Sequence, residues 1–291
     1  MRNEGLNLFG LLTEDGHQKL ETRDTNNIAT RDDINNTLNS ICNNVKEKID
    51  LDINSKSRQI KLIQAISNGR SGTYFLRTTL LSYSENIVPI HNTYTIPPLK
   101  DRSLLTMAQA ISMGSNEEAI SINLDQLSIL AMRLEKHLLF FCIELISYAN
   151  RFNKLPVIIN HWWSPFALLL KSIFPNLEFI SLTRSRQDLM HSMVEKYQII
   201  SNPMPADLHF TSMQCTYNKE DLTRWSNYFL NFTNTLEREI KYSYPDSYHG
   251  SISFTPPNED SADKLIKIFN LRCKSEQIIN ANNIKNKKKI Y

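Results

Sequence analysis

Apolar positions along the chain repeat with two periods, and the alternation between them predicts the order of elements. Ile34, Leu38, Ile41 and Val45 recur at three- and four-residue steps, a stripe that predicts an amphipathic helix over 32–50. The run over 59–66 is rich in Ile and Leu and reads as a strand; a Gly-bearing loop and a helix over 72–84 follow it. A second strand is predicted over 86–91, with His91 at its carboxyl end, and Pro97-Pro98 breaks the chain soon after. Leu127, Leu130, Leu134, Leu138, Phe141, Leu145 and Tyr148 keep a helical period across 125–151. Strands over 155–160, 177–182 and 250–254 then alternate with helices over 165–174, 187–198, 219–242 and 260–269. Strand and helix in turn predict an α/β fold, a parallel sheet with helices on its faces.

One stretch lacks a period. Residues 200–218 read as a long loop, and the segments 99–123 and 201–218 are where acceptor specificity is expected, because loops carry it on a shared scaffold. Residues 1–57 are rich in Asn, Asp and Thr, so they are expected as a polar, partly helical extension to a domain over 58–291 that ends in a basic tail.

Composition narrows the classes. A chain of 291 residues, 41% hydrophobic, can bury a substantial core. Its net charge of +3 comes without the basic stripe of a nucleic-acid binder. There is no run of about 18 apolar residues and no signal-peptide pattern at the start, so a cytoplasmic protein without a membrane partner is expected. Cys42, Cys142, Cys215 and Cys273 are widely spaced and have no Cys/His ligand pattern; they are expected as reduced structural thiols, with no metal site.

The loop Ser67-Asn68-Gly69-Arg70-Ser71-Gly72-Thr73 lies between a strand and a helix, where backbone N–H groups and the helix dipole suit a phosphate or sulfate. Arg70 adds a fixed positive charge. The nucleotide triphosphatase pattern G-x-x-x-x-G-K-[ST] is absent.

Gly69-Arg70-Ser71-Gly72-Thr73-Tyr74-Phe75-Leu76 after a strand resembles the 5′-phosphosulfate loop of the sulfotransferases that use 3′-phosphoadenosine-5′-phosphosulfate (PAPS). The strand-to-helix stretch Phe179 through Ser192 resembles the 3′-phosphate motif of that family, with Arg184 at the strand end and Ser192 eight positions on. Asn160-His161-Trp162-Trp163-Ser164-Pro165 is similar to the branch that contains the tyrosylprotein sulfotransferases and bacterial sulfotransferases, except that the branch has a Lys where Trp163 stands here.

The resemblance implies a P-loop sulfotransferase fold and sulfuryl transfer from PAPS to a hydroxyl or amine of a small-molecule acceptor, without a metal. It implies that Asn68, Gly69, Arg70, Ser71, Gly72, Thr73, Tyr74, Phe75, Arg184 and Ser192 bind the nucleotide. Arg70 stands against the bridging oxygen of the leaving group, and His161, Trp162 and Trp163 are candidates for the acceptor side. A base is also needed, and related enzymes take it from the end of the strand after the loop helix, which is His91 here; His161, His137 and His191 compete for the role. Two alternatives stay open. One is a nucleotide-binding or scaffold module without turnover, which the missing Lys would suit; the other is an atypical P-loop phosphotransferase, which would need a carboxylate-held magnesium.

Overall fold

A computed structural model of the protein describes residues 27–67, 71–91, 97, 99–114, 121–189, 191, 219–253 and 259–280. Its centre is β1 (Leu62–Ile66), buried at every position because helices cover both faces of the sheet. β2 (Ile87–Ile90), β3 (Leu155–Ile158), β4 (Leu177–Thr183) and β5 (Tyr248–Ser253) complete one sheet in the order β2-β3-β1-β4-β5. Every pairing is parallel: Ile63 aligns with Val157 on one side and Glu178 on the other, Ile87 with Leu155, and Thr183 with Ser253. This is the α/β architecture that the alternating pattern predicts.

Alternate residues of β1 feed two cores. Leu62 and Ile66 join the larger one, which contains Phe141, Trp163, Phe166 and Phe174; Ile63 and Ala65 join the smaller one with Phe75, Leu76 and Leu265. Helices α1 (Arg31–Asp52), α3 (Leu99–Ser112), α4 (Leu124–Ile146) and α5 (Ala167–Ile173) supply the larger core, together with α6 (Lys219–Ser243) through Phe232, Leu236 and Ile240. Helices α2 (Thr73–Tyr83) and α7 (Glu259–Phe269) cover the opposite face.

Helix α1 differs from its expected place in an extension. Its stripe Ile34, Leu38, Ile41, Cys42, Val45 and Ile49 is buried in the larger core, against α4 and α5. The polar composition of its other face reflects solvent contact on one side only. Thr30 starts the helix with a reciprocal cap: its hydroxyl accepts from the Asp33 N–H at 3.1 Å and its own N–H donates to Asp33 Oδ2 at 2.8 Å. Arg58 closes the far end with two bonds to the Asp50 carboxylate, both 2.7 Å.

Helix α3 is a second difference, since it occupies 99–112 of a segment expected to carry specificity as a loop does. Its buried positions include Asp101, Arg102, Thr106 and Gln109 beside Leu104, Leu105 and Ala108. Cys42 and Cys142 are buried free thiols, pushed upward in pKa by that burial, Cys42 to about 11; Cys215 lies outside the described residues. No described helix is long and apolar enough to cross a membrane, and no group of three His, Cys, Asp or Glu residues among those described could hold a metal.

Candidate functional site

Strand order decides where a ligand can sit. The chain leaves β1 through α2 toward β2 on one side of the sheet, whereas it leaves β4 toward β5 on the other. β1 and β4 are neighbours, so their carboxyl ends meet at a topological switch point, the place where open α/β sheets form ligand crevices. Ser67, which follows β1, and Ser71 and Gly72, which precede α2, stand at one lip, and Arg184, the residue after β4, stands at the other.

The described part of the loop suits an oxyanion. Ser67 and Ser71 are both 1% exposed, and neither Oγ has a hydrogen-bond partner among the described residues. Gly72 caps α2 with φ of 103°, a left-handed conformation that a side chain would strain, and it brings no side-chain acceptor. The cap residue thus supplies no side chain to the N-terminus of α2, a helix end whose positive dipole favours an anion, and two buried hydroxyls flank it in sequence. A phosphate or sulfate would satisfy both. Thr73 is buried at the first turn of α2. Asn68, Gly69 and Arg70 lie outside the described residues.

Ser164 holds the start of this loop. Its hydroxyl donates to the Ser67 carbonyl at 2.9 Å and accepts from the Ser67 N–H at 3.1 Å, so one side chain satisfies both backbone groups where β1 ends. Gln64, fully buried in mid-strand, donates to the Trp163 carbonyl at 2.6 Å and binds the same segment to β1. That segment is a single 3₁₀ helix, His161–Phe166, capped by Asn160 Oδ1 on the Trp162 N–H at 3.0 Å.

Asn160 also reaches the candidate base. Its Nδ2 donates to the carbonyl of His91, the residue after β2, and so ties the ends of β2 and β3 together. The His91 ring is half-buried and meets the exposed Tyr74 ring edge-on, centroids 6.5 Å apart. Tyr74 lies in the first turn of α2, so His91 faces the same helix end as the loop hydroxyls. His161 is half-buried with its ring 5.9 Å from that of Trp162.

The remaining candidates divide between site and core. Trp163 is 0% exposed and stacks on Phe141 at 3.5 Å, packing into the larger core, which leaves Trp162 as the ring of this pair that reaches toward the surface. Phe75 packs in the smaller core. After Arg184, Ser185 and Asp188 form a reciprocal cap, Oγ to Oδ2 at 2.6 Å and N–H to Oγ at 3.1 Å, which fixes the turn into helix 186–189. Ser192 lies outside the described residues, and His191, which is described, is exposed.

One charged residue beside this site had no sequence signal. Arg102 on α3 is 7% exposed, with its guanidinium over the Trp162 ring at 4.6 Å, and its Nε and Nη1 have no hydrogen-bond partner among the described residues. Burial pushes it down to about 10, so it remains charged at neutral pH. Burying an unpaired ion costs several kcal/mol, and a face-on tryptophan recovers only about 2 kcal/mol of that. Local pattern gives no sign of it, because an Asp-Arg pair in a polar stretch reads as solvated. No family model, no curated protein and no solved structure matches this chain.

Proposed function

We propose that the protein transfers a sulfuryl group from PAPS to a hydroxyl or amine of a small-molecule acceptor. The observation that carries this reading is the meeting of two elements suited to anions at one switch point: after β1, the Ser67 and Ser71 hydroxyls without a hydrogen-bond partner among the described residues, and after the neighbouring β4, Arg184. Two separated anionic groups on one nucleotide match two separated cradles. The motif resemblances at the same residues assign the 5′ group to the loop and the 3′-phosphate to Arg184.

When bound, the donor supplies an activated sulfuryl group whose leaving group is a phosphate oxygen. The N–H groups of the α2 N-terminus and the hydroxyls of Ser67 and Ser71 hold the 5′ end and stabilise charge that grows there. Arg70 adds its charge to the same end by resemblance. His91 takes the proton from the attacking hydroxyl or amine at a ring nitrogen, while Asn160 keeps its backbone fixed at the edge of the crevice. A sulfuryl group carries less charge than a phosphoryl group, so the reading calls for no metal. The acceptor stands on the His91 and Trp162 side.

Isothermal titration in the presence of a chelator tests the nucleotide site. 3′-Phosphoadenosine-5′-phosphate is expected to bind at least tenfold more tightly than adenosine 5′-phosphate, and Arg184→Ala is expected to remove that preference. Equal affinity for ATP and the 3′-phosphorylated nucleotide would overturn the reading.

A further inference from the structure

Arg102 and Gln109 are seven residues apart on α3, so two turns of helix bring them to one face, with Thr106 between them. Thr106 satisfies its hydroxyl on the Arg102 carbonyl at 3.0 Å. Gln109 is 2% exposed, and neither its amide oxygen nor its amide nitrogen has a hydrogen-bond partner among the described residues. Arg102 makes no ion pair among the described residues. Its neighbour Asp101, also buried, lies 3.5 Å from Arg133. This face thus carries a stacked guanidinium and a buried amide, both with unsatisfied groups, on an element that packs directly against the 161–166 segment.

The same segment leads to the proposed reaction centre. Trp162, under the guanidinium, donates its backbone N–H to Asn160 Oδ1, and Asn160 Nδ2 donates to the His91 carbonyl. A buried charge without a partner lowers stability, so its presence beside a site is explained by a ligand that supplies the partner. A guanidinium stacked on a ring keeps its edge donors in the plane, the fork geometry that matches a planar or tetrahedral oxyanion.

We infer that Arg102, backed by Trp162 and accompanied by Gln109, anchors an oxyanion, a carboxylate or a phosphate, carried by the acceptor. The word acceptor rests on the sulfotransferase reading; the anion subsite does not. Arg102 here is a binding residue that selects acidic acceptors over neutral ones and orients the nucleophile toward His91.

Titrating the full chain with benzoate, phenyl phosphate and benzyl alcohol, with and without saturating 3′-phosphoadenosine-5′-phosphate, tests this. One of the aryl anions is expected to bind the wild type at least tenfold more tightly than benzyl alcohol, and which one it is separates carboxylate from phosphate. Arg102→Met should abolish that preference, keep nucleotide affinity within twofold, and unfold at an equal or higher urea concentration, because it removes an unpaired buried charge. A wild type with no preference for anions, or an anion preference that survives in Arg102→Met, would overturn the inference. So would a fall in the urea midpoint that Arg102→Lys restores without anion binding, since that marks a structural arginine. Anion binding without nucleotide binding sinks the sulfotransferase reading and leaves the subsite standing; nucleotide binding without anion preference does the reverse.

Discussion

Ser164 and His91 separate two ways in which one side chain can matter at this site. Ser164 touches no proposed ligand, yet its hydroxyl satisfies both backbone groups of Ser67. Ser164→Ala leaves a buried N–H and a buried carbonyl short of a partner, which costs about 1–3 kcal/mol. Urea unfolding is expected to register that loss, and nucleotide affinity should fall with it, because the loop is no longer held where β1 ends. His91 carries the opposite expectation. His91→Ala should leave nucleotide affinity and the urea midpoint close to wild type while kcat falls by about 10²–10⁴-fold, the ordinary worth of a positioned base. Steady-state kinetics beside nucleotide titration check both parts. Turnover that is unaffected would pass the role to another histidine, with His161 next along the same edge; no turnover even in the wild type would favour a binding module.

At the scale of elements, α1 is fastened at both ends by groups that respond to acid. Hydrogen bonds from Arg58 hold the Asp50 carboxyl below its usual pKa. A depressed folded-state value contributes stability that is present above the unfolded pKa, about 3.9, and is lost as pH falls through the lower folded value. Asp50→Asn should therefore be less stable than wild type near neutrality, and the two unfolding curves should converge as pH is lowered below about 4. Curves that stay parallel down to pH 2 would exclude a role for this pair. At the other end, Thr30→Ala removes one half of the reciprocal cap and should cost about 1 kcal/mol by urea unfolding. The apolar repeat and the cap of α1 are both readable in the sequence, as are those of α4, where Asn123 and Gln126 cap each other. The buried face of α3 is partly polar, and burial of Asp101, Arg102 and Gln109 is what an apolar stripe does not report.

For the molecule as a whole, α1 is the sharpest departure from the domain boundary that composition suggests. Ile34, Ile41, Val45 and Ile49 are at most 1% exposed, and each contributes roughly 1.5–3 kcal/mol on burial. Their sum, roughly 6–12 kcal/mol, rivals the entire stability of an ordinary domain. Deletion of residues 31–52 should consequently abolish a cooperative urea transition, whereas a true extension could be removed with the transition intact. Circular dichroism on the deleted chain decides between them.

By itself the sequence determined the alternation of strand and helix, the α/β class, the stripes of α1 and α4, and the placing of Gly72, His91 and Arg184 at ends of elements. Those properties are local: a period of 2 or 3.6, a left-handed turn and a residue count are all written within a few positions of one another. Only the tertiary structure decided that β1 and β4 are neighbours with connections running opposite ways, so that residues more than a hundred positions apart share one crevice. It also decided that Ser164 secures Ser67, that Asn160 joins His91 to Trp162, and that Arg102 is buried with no counter-ion among the described residues. Strand order and the partner of a buried polar group depend on through-space packing between distant segments, which no local pattern of hydrophobic and polar residues encodes.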